Sequence, residues 1–198
     1  HSTPPPFRAL TLSKHLGEEL IYDNIAKIIG IDKKTVMSWL SVLIAGDIVY
    51  LLEPYNEISI SKRIIKRPKL YFTDTGLACY LARLNSGEIL GASAFSGRFV
   101  ETYIINEIKK SYVNNGIEPN FYYYRDSDMN EIDLVIIQDG KLHRIECKSG
   151  IKFNNNAVKG FKQLDKTNYQ IGFKVIICNT DTVYPLDDNV YVLPLAGI

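Results

Sequence analysis

Residues 130–150 read NEIDLVIIQDGKLHRIECKSG. Two apolar runs meet at Asp139-Gly140, and Glu131, Asp133, Glu146 and Lys148 interrupt positions where a core strand is expected to be apolar. Asp-Gly is a preferred centre for a two-residue type I′ hairpin loop. With that loop Gln138 pairs with Lys141, and the same register sets Asp133 opposite Glu146 and Glu131 opposite Lys148. Side chains alternate along a strand, so these four are expected on one face, with Ile132, Leu134, Ile136, Ile145 and Cys147 as core on the other. Opposed carboxylates repel, and their burial is costly unless something neutralises them. A hard divalent cation, which takes oxygen ligands, would do so. A solvated face with a cross-strand salt bridge also fits the pattern.

Working outward, RFVETYIINEIKKSYVNNG (98–116) has the spacing of one amphipathic helix ending at Gly116. Glu101, Ile104, Ile105 and Ile108 fall on one stripe, which sets a carboxylate beside the buried face. Such an acid is uncommon unless it is paired or binds metal, or lies at the stripe's edge and reaches water. NFYYYRD reads as a strand, NNAVKGFKQLDKTN as a helix, FKVIICN as a strand and NVYVLPL as a last short one. The resulting order is α-β-β-β-α-β, helices covering a mixed sheet.

The first half reads differently. DNIAKIIGIDKKTVMSWLSVLI has helical spacing broken at Gly30, with Ala26, Gly30 and Val36 at the spacings of a helix-turn-helix. Asp32 is placed to cap the second helix. DIVYLLEPYNEISISKRIIKRPKLYFTD follows with β-rich runs, giving the element order of a winged helix. TGLACYLARL returns to helical spacing, and NSGEILGASAFSG reads as a linker. The expected domains are 1–84, a linker at 85–97, and 98–198.

Between Ile58 and Thr73 stand Lys62, Arg63, Lys66, Arg67 and Lys69 with no acid among them. With Lys33 and Lys34 at the start of the second helix, they are candidate phosphate contacts. Thr35, Ser38 and Trp39 are candidates for groove contact. A solvated hairpin, or a surface facing another module, accounts for the same basic cluster.

A formal net charge of +1 over 198 residues supplies no global attraction to nucleic acid or membrane, so such binding needs a local patch. Three widely spaced cysteines argue against a disulfide framework or a zinc module and lead us to expect a cytoplasmic protein. No apolar run reaches the length of a membrane span, and no membrane partner is expected. The Pro-rich HSTPPP opening suggests a piece of a longer chain.

Glu101 on a helix, Asp133 on a strand and Glu146-Cys147-Lys148 on the next resemble the PD-(D/E)xK nuclease superfamily. The resemblance implies Asp133 and Glu146 as ligands of Mg²⁺ (or Mn²⁺), Glu101 as a further ligand or water-mediated contact, and Lys148 as the catalytic lysine. Metal chemistry suits phosphodiester hydrolysis, because it yields a nucleophilic water near neutral pH and offsets phosphate charge. Ile132 stands where the superfamily often has proline. Gln163 is present, but Thr167 replaces the tyrosine of the Q-x-x-x-Y element found in some exonucleases, which puts end recognition in question.

KRPKLYFTDTGLACYL, GRFVETYIINEI, YYYRDSDMNEIDLVI and HRIECKSG, in that order, look like the C-terminal half of a bacterial and archaeal family of AAA-type ATPases. There a P-loop module precedes a winged helix and a nuclease-like domain of unknown function. The implied fold class is α/β (α+β): an N-terminal winged helix-turn-helix, then a restriction-endonuclease-like domain with a mixed central sheet flanked by helices. No G-x-x-x-x-G-K-[ST] occurs, so ATP is expected to act only through an N-terminal module outside these residues. Three functions follow as expectations: a metal-dependent nuclease domain, a non-catalytic DNA-binding accessory, or a docking and regulatory module of the ATPase.

Overall fold

A computed structural model describes residues 12–56, 67–151, 155–187 and 189–198. They form a mixed α+β structure in two compact units, 12–52 with 67–102 and 53–56 with 103–198.

The first unit is built on two short helices, α1 (Tyr22–Ile29) and α2 (Lys33–Ala45). α1 ends at Gly30, whose φ of 73° turns the chain through a conformation that glycine adopts without penalty. Asp32 caps α2 by accepting the Thr35 N–H at 3.0 Å. Ile25, Ala26, Val36 and Leu40 are buried in one cluster with Val49, Leu70 and Phe72. The last three come from β1 (Val49–Leu52) and β2 (Lys69–Phe72), an antiparallel pair. Helices α3 (Thr75–Leu81) and α4 (Gly87–Ala92) follow. The stretch 85–97, expected as a linker, therefore carries a helix. Ser86 starts it by accepting the Ile89 N–H at 3.2 Å, a capping role that a Ser/Gly-rich composition conceals. Helix α5 (Ser96–Asn114) gives its first residues to this unit and the remainder to the second.

The second unit is a six-stranded mixed sheet in the order β3-β4-β5-β6-β8-β7. Its strands are β3 (Phe121–Arg125), β4 (Glu131–Gln138), β5 (Lys141–Cys147), β6 (Gln170–Cys178), β7 (Tyr184–Asp187) and β8 (Val190–Pro194). β3, β4 and β5 run antiparallel, while β5-β6 and β6-β8 are parallel. The connection from β5 to β6 includes a 3₁₀ helix, Asn155–Leu164. β7 was not expected from the sequence. It contains Pro185 and lies at the sheet edge, where a missing ladder donor is tolerated.

The β4–β5 turn follows the hairpin arithmetic. Asp139 and Gly140 both have positive φ, 50° and 72°, as a type I′ loop requires. The ladder runs from Gln138↔Lys141 to Leu134↔Ile145. It does not continue to Asp133 and Glu146. On the β3 side one residue, Tyr123, opposes two of β4, Asp133 and Leu134, which makes a β-bulge. Beyond it Glu131 pairs with Arg125, 3.9 Å away, and not with Lys148 as expected.

Both faces of this hairpin are buried, another departure from the expected single core face. One face meets the 3₁₀ helix: Val135, Leu142 and Ile176 pack with Phe161 and Leu164. On the other, Ile108 and Tyr112 of α5 line an apolar cavity of about 260 Å³ with Ile136, Ile145, Val175 and Ile177. Cover on both sides is usual where parallel strands enter a sheet. A second irregularity lies between β5 and β6, where the His143 ring fits against Gly172 and its Nδ1 accepts the Phe173 N–H at 3.0 Å.

Candidate active site

The hydrogen-bond ladder of β4 and β5 gives out where the acids begin. Asp133 sits in the bulge, 9% exposed, and its Oδ2 accepts the Cys147 N–H at 2.8 Å. A buried N–H next to a broken ladder needs an acceptor, and here a carboxylate supplies it. Glu146 is 7% exposed, and its Oε1 lies 2.6 Å from Lys148 Nζ. Lys148 is half-buried. Burial pulls its pKa down, but the Glu146 carboxylate, helped by the charge of Asp133, outweighs this and holds it above the usual lysine value. At neutral pH Lys148 is therefore a cation, suited to holding a carboxylate or an anionic oxygen and not to accepting a proton.

The structure thus brings Asp133, Glu146 and Lys148 together. Glu101 is held within the first unit, where its Oε1 accepts from Lys69 Nζ at 3.1 Å and from the Tyr71 hydroxyl at 2.5 Å. Lys69 is only 3% exposed, so this is a largely buried ion pair. It accounts for a carboxylate beside an apolar stripe, and it takes Lys69 out of the basic cluster. Among the described residues no group of three or more His, Cys, Asp or Glu side chains is arranged to hold a metal ion. Of the expected ligands, Asp133 and Glu146 lie in the second unit, and two carboxylates could hold Mg²⁺, which commonly keeps several waters and binds through one or two carboxylates plus substrate phosphates.

Sequence reasoning missed several residues that shape this site. Asp126, fully buried, accepts the backbone N–H groups of Asp128 and Asn130 at 2.9 and 3.0 Å and the Asn130 side-chain amide. This turn feeds the chain into β4 two residues before Asp133, and its Asp/Ser/Asn composition signals it. Arg144, also fully buried, donates to the Phe161 carbonyl and to Asp165 at 2.7 Å. A charged residue amid the apolar run of β5 was its only signal. Thr167, already noted in the sequence for replacing the tyrosine of the Q-x-x-x-Y element, shares a 3.1 Å hydrogen bond with the hydroxyl of the buried Tyr55.

The nucleic-acid candidates are dispersed. Lys33 pairs with Asp23 at 2.9 Å, Arg67 lies 3.7 Å from Glu19, and Lys34 is exposed. Lys62, Arg63 and Lys66 lie outside the described residues. Thr35 bonds Asp32, Ser38 is exposed, and Trp39 packs on the first unit's core. No described helix is long and apolar enough to cross a membrane.

Residues 96–198 match the family model of a domain of unknown function (DUF4143), and residues 8–88 match that of another (DUF8612). Uncharacterized proteins of Mycobacterium bovis and Mycobacterium tuberculosis are each 23% identical over 188 residues, covering 94% of this chain and 41% of theirs. The chain thus spans about two fifths of the length of the curated relatives it matches. The crystal structure of protein VC1899 from Vibrio cholerae is similar at 15% identity with a TM-score of 0.29, covering 99% of this chain and 54% of that one.

Proposed function

Because the chain belongs to the family of the domain of unknown function DUF4143, and the matched residues contain Asp133, Glu146 and Lys148, we propose that this domain is a PD-(D/E)xK-like module that hydrolyses phosphodiester bonds with Mg²⁺ or Mn²⁺. One observation carries the reading: two carboxylates, 9% and 7% exposed, stand on adjacent strands, Asp133 bonded to the N–H of the residue after Glu146 and Lys148 2.6 Å from Glu146. Lys148 offsets one of the two negative charges, and a bound cation would offset the other.

Asp133 and Glu146 would hold the ion, and the proposed ligand set omits Glu101. Bound there, the metal would lower the pKa of a water and offset charge on the phosphate. Asp133 keeps the end of β5 in place through Cys147. Lys148, already cationic, would orient Glu146 and meet an anionic oxygen of the substrate. ATP enters this proposal only through a P-loop module of the AAA type, N-terminal to the first unit. That unit, in the same proposal, is a winged helix. Incubation with Mn²⁺ and single- or double-stranded DNA tests the reading: cleavage by the wild type that disappears in Lys148→Ala supports it, and intact DNA in both sinks it.

For the first unit, one observation favours docking over DNA reading. The second helix, α2, exposes Met37, Val42 and Ile44 (47%, 68% and 39%), an apolar surface poorly suited to phosphate. The proposed partner is the ATPase module. Val42→Asp should then break its association with that module while leaving DNA affinity unchanged, whereas a groove-reading helix would respond to Lys34→Ala.

A further inference from the structure

Lys159, Lys162 and Lys166 come after β5 and Lys148, and all three are exposed. In a 3₁₀ helix residues three apart lie along one edge, rising about 2 Å per residue, so Lys159 and Lys162 stand about 6 Å apart along the axis. That interval spans about two phosphates along one strand of a duplex. The single acid in residues 158–168 is Asp165, and it is engaged by Arg144 at 2.7 Å and Lys174 at 3.5 Å. Within residues 158–168 the exposed edge therefore presents more positive than negative charge.

Two contacts fix where this edge lies. Gly160 packs directly on the β4 backbone, since a Cβ there would come within 2.0 Å of the Glu131 carbonyl oxygen. The next residue, Phe161, gives its carbonyl to the buried Arg144. Along the strands Asp133 lies two residues beyond Glu131, and Glu146 two residues beyond Arg144. The helix thus touches the hairpin on either side of the two acids through its buried edge, while Lys159 and Lys162 on the helix and Lys166 just after it face solvent beside that contact.

We propose that Lys159, Lys162 and Lys166 form a phosphate track that grips the sugar–phosphate backbone of a nucleic acid and leads it to Asp133, Glu146 and Lys148. The direction of the track rests on the nuclease-like reading, whereas its affinity does not require cleavage. Three lysines acting as point charges position a backbone without reading sequence.

The test is fluorescence anisotropy of the full chain with labelled duplex DNA, single-stranded DNA and single-stranded RNA, in chelator, over a salt series. Changing all three lysines to alanine should reduce the salt slope by about 2.7 on a duplex or about 2 on single strands. Affinity should fall at least tenfold, and the triple arginine variant should restore both. The probe showing the largest change identifies the source of the phosphate. An unchanged slope in the alanine variant overturns the proposal, as does absence of wild-type binding to all three probes. If the slope changes while the wild type fails to cleave with Mn²⁺, the track stands and the nuclease reading falls.

Discussion

The carboxylate of Asp133 accepts the backbone N–H of Cys147 at 2.8 Å, just past the last ladder pair of the β4–β5 hairpin. One side chain thereby closes the hairpin and belongs to the proposed ion site, and the two roles separate by substitution. Asp133→Ala removes a charged acceptor from a buried donor and should cost about 1.5–3 kcal/mol in urea unfolding. Asp133→Asn retains an acceptor oxygen and should cost less. Both should abolish Mn²⁺ binding in titration calorimetry.

Glu101 gives the opposite outcome. Lys69 and Tyr71 hold its carboxylate and the proposal leaves it out of the ion site, so Glu101→Gln should leave Mn²⁺ affinity unchanged while lowering stability. Removal of the negative charge strands a lysine that is 3% exposed, at a cost of about 3 kcal/mol. Unchanged unfolding together with weakened Mn²⁺ binding would return Glu101 to the ligand set.

Gly160→Ala tests the seat of the 3₁₀ helix. The added methyl group would meet Glu131 backbone, which cannot rotate away as a side chain can. Overpacking of this kind costs about 1–3 kcal/mol. The thermal midpoint should fall, and DNA binding with it, because the helix that carries the lysines must shift.

Arg144 and Asp165 should respond unequally. Asp165→Ala leaves a fully buried guanidinium with less negative charge nearby, whereas Arg144→Met replaces it with an apolar chain of similar length. Breaking a fully buried pair costs about 3–5 kcal/mol, and since the Asp165 side chain is 44% exposed a smaller loss is expected. Arg144→Met should be the milder change in urea unfolding.

His143 supplies a pH dependence. Burial and then Lys141 push its pKa below the ordinary histidine value, against the opposing pull of Asp139, and its Nδ1 is the acceptor for the Phe173 N–H. A lowered folded value means that the stabilisation is complete above the ordinary value near 6.5 and is lost as pH falls through the lowered one. Thermal midpoints should therefore decline on acidification below about 6.5. In His143→Gln that part of the profile should flatten.

The turn was legible because Asp139-Gly140 fixes a loop of two residues, and counting from it gives every ladder pair from Gln138↔Lys141 to Leu134↔Ile145. Counting fails at Asp133, since the bulge opposite Tyr123 carries no glycine or other compositional mark and arises from β3 pairing on the far side. The same blindness sent Glu131 to Lys148 when its partner is Arg125. Glu101 could be seen as an oddity on an apolar stripe, but its lysine lies 32 residues earlier, a distance that no local pattern spans. The grouping of Asp133, Glu146 and Lys148 was readable because all three sit within one hairpin and its first following residue.

An extra residue in β4 has a consequence for how this hairpin tolerates change. Removing Leu134 would even out the register with β3 but would bring Asp133 into the place opposite Ile145 that a fully buried leucine now fills. Such a deletion variant should therefore be less stable than the parent chain, so the one-residue mismatch with β3 is part of how this strand is seated in its sheet.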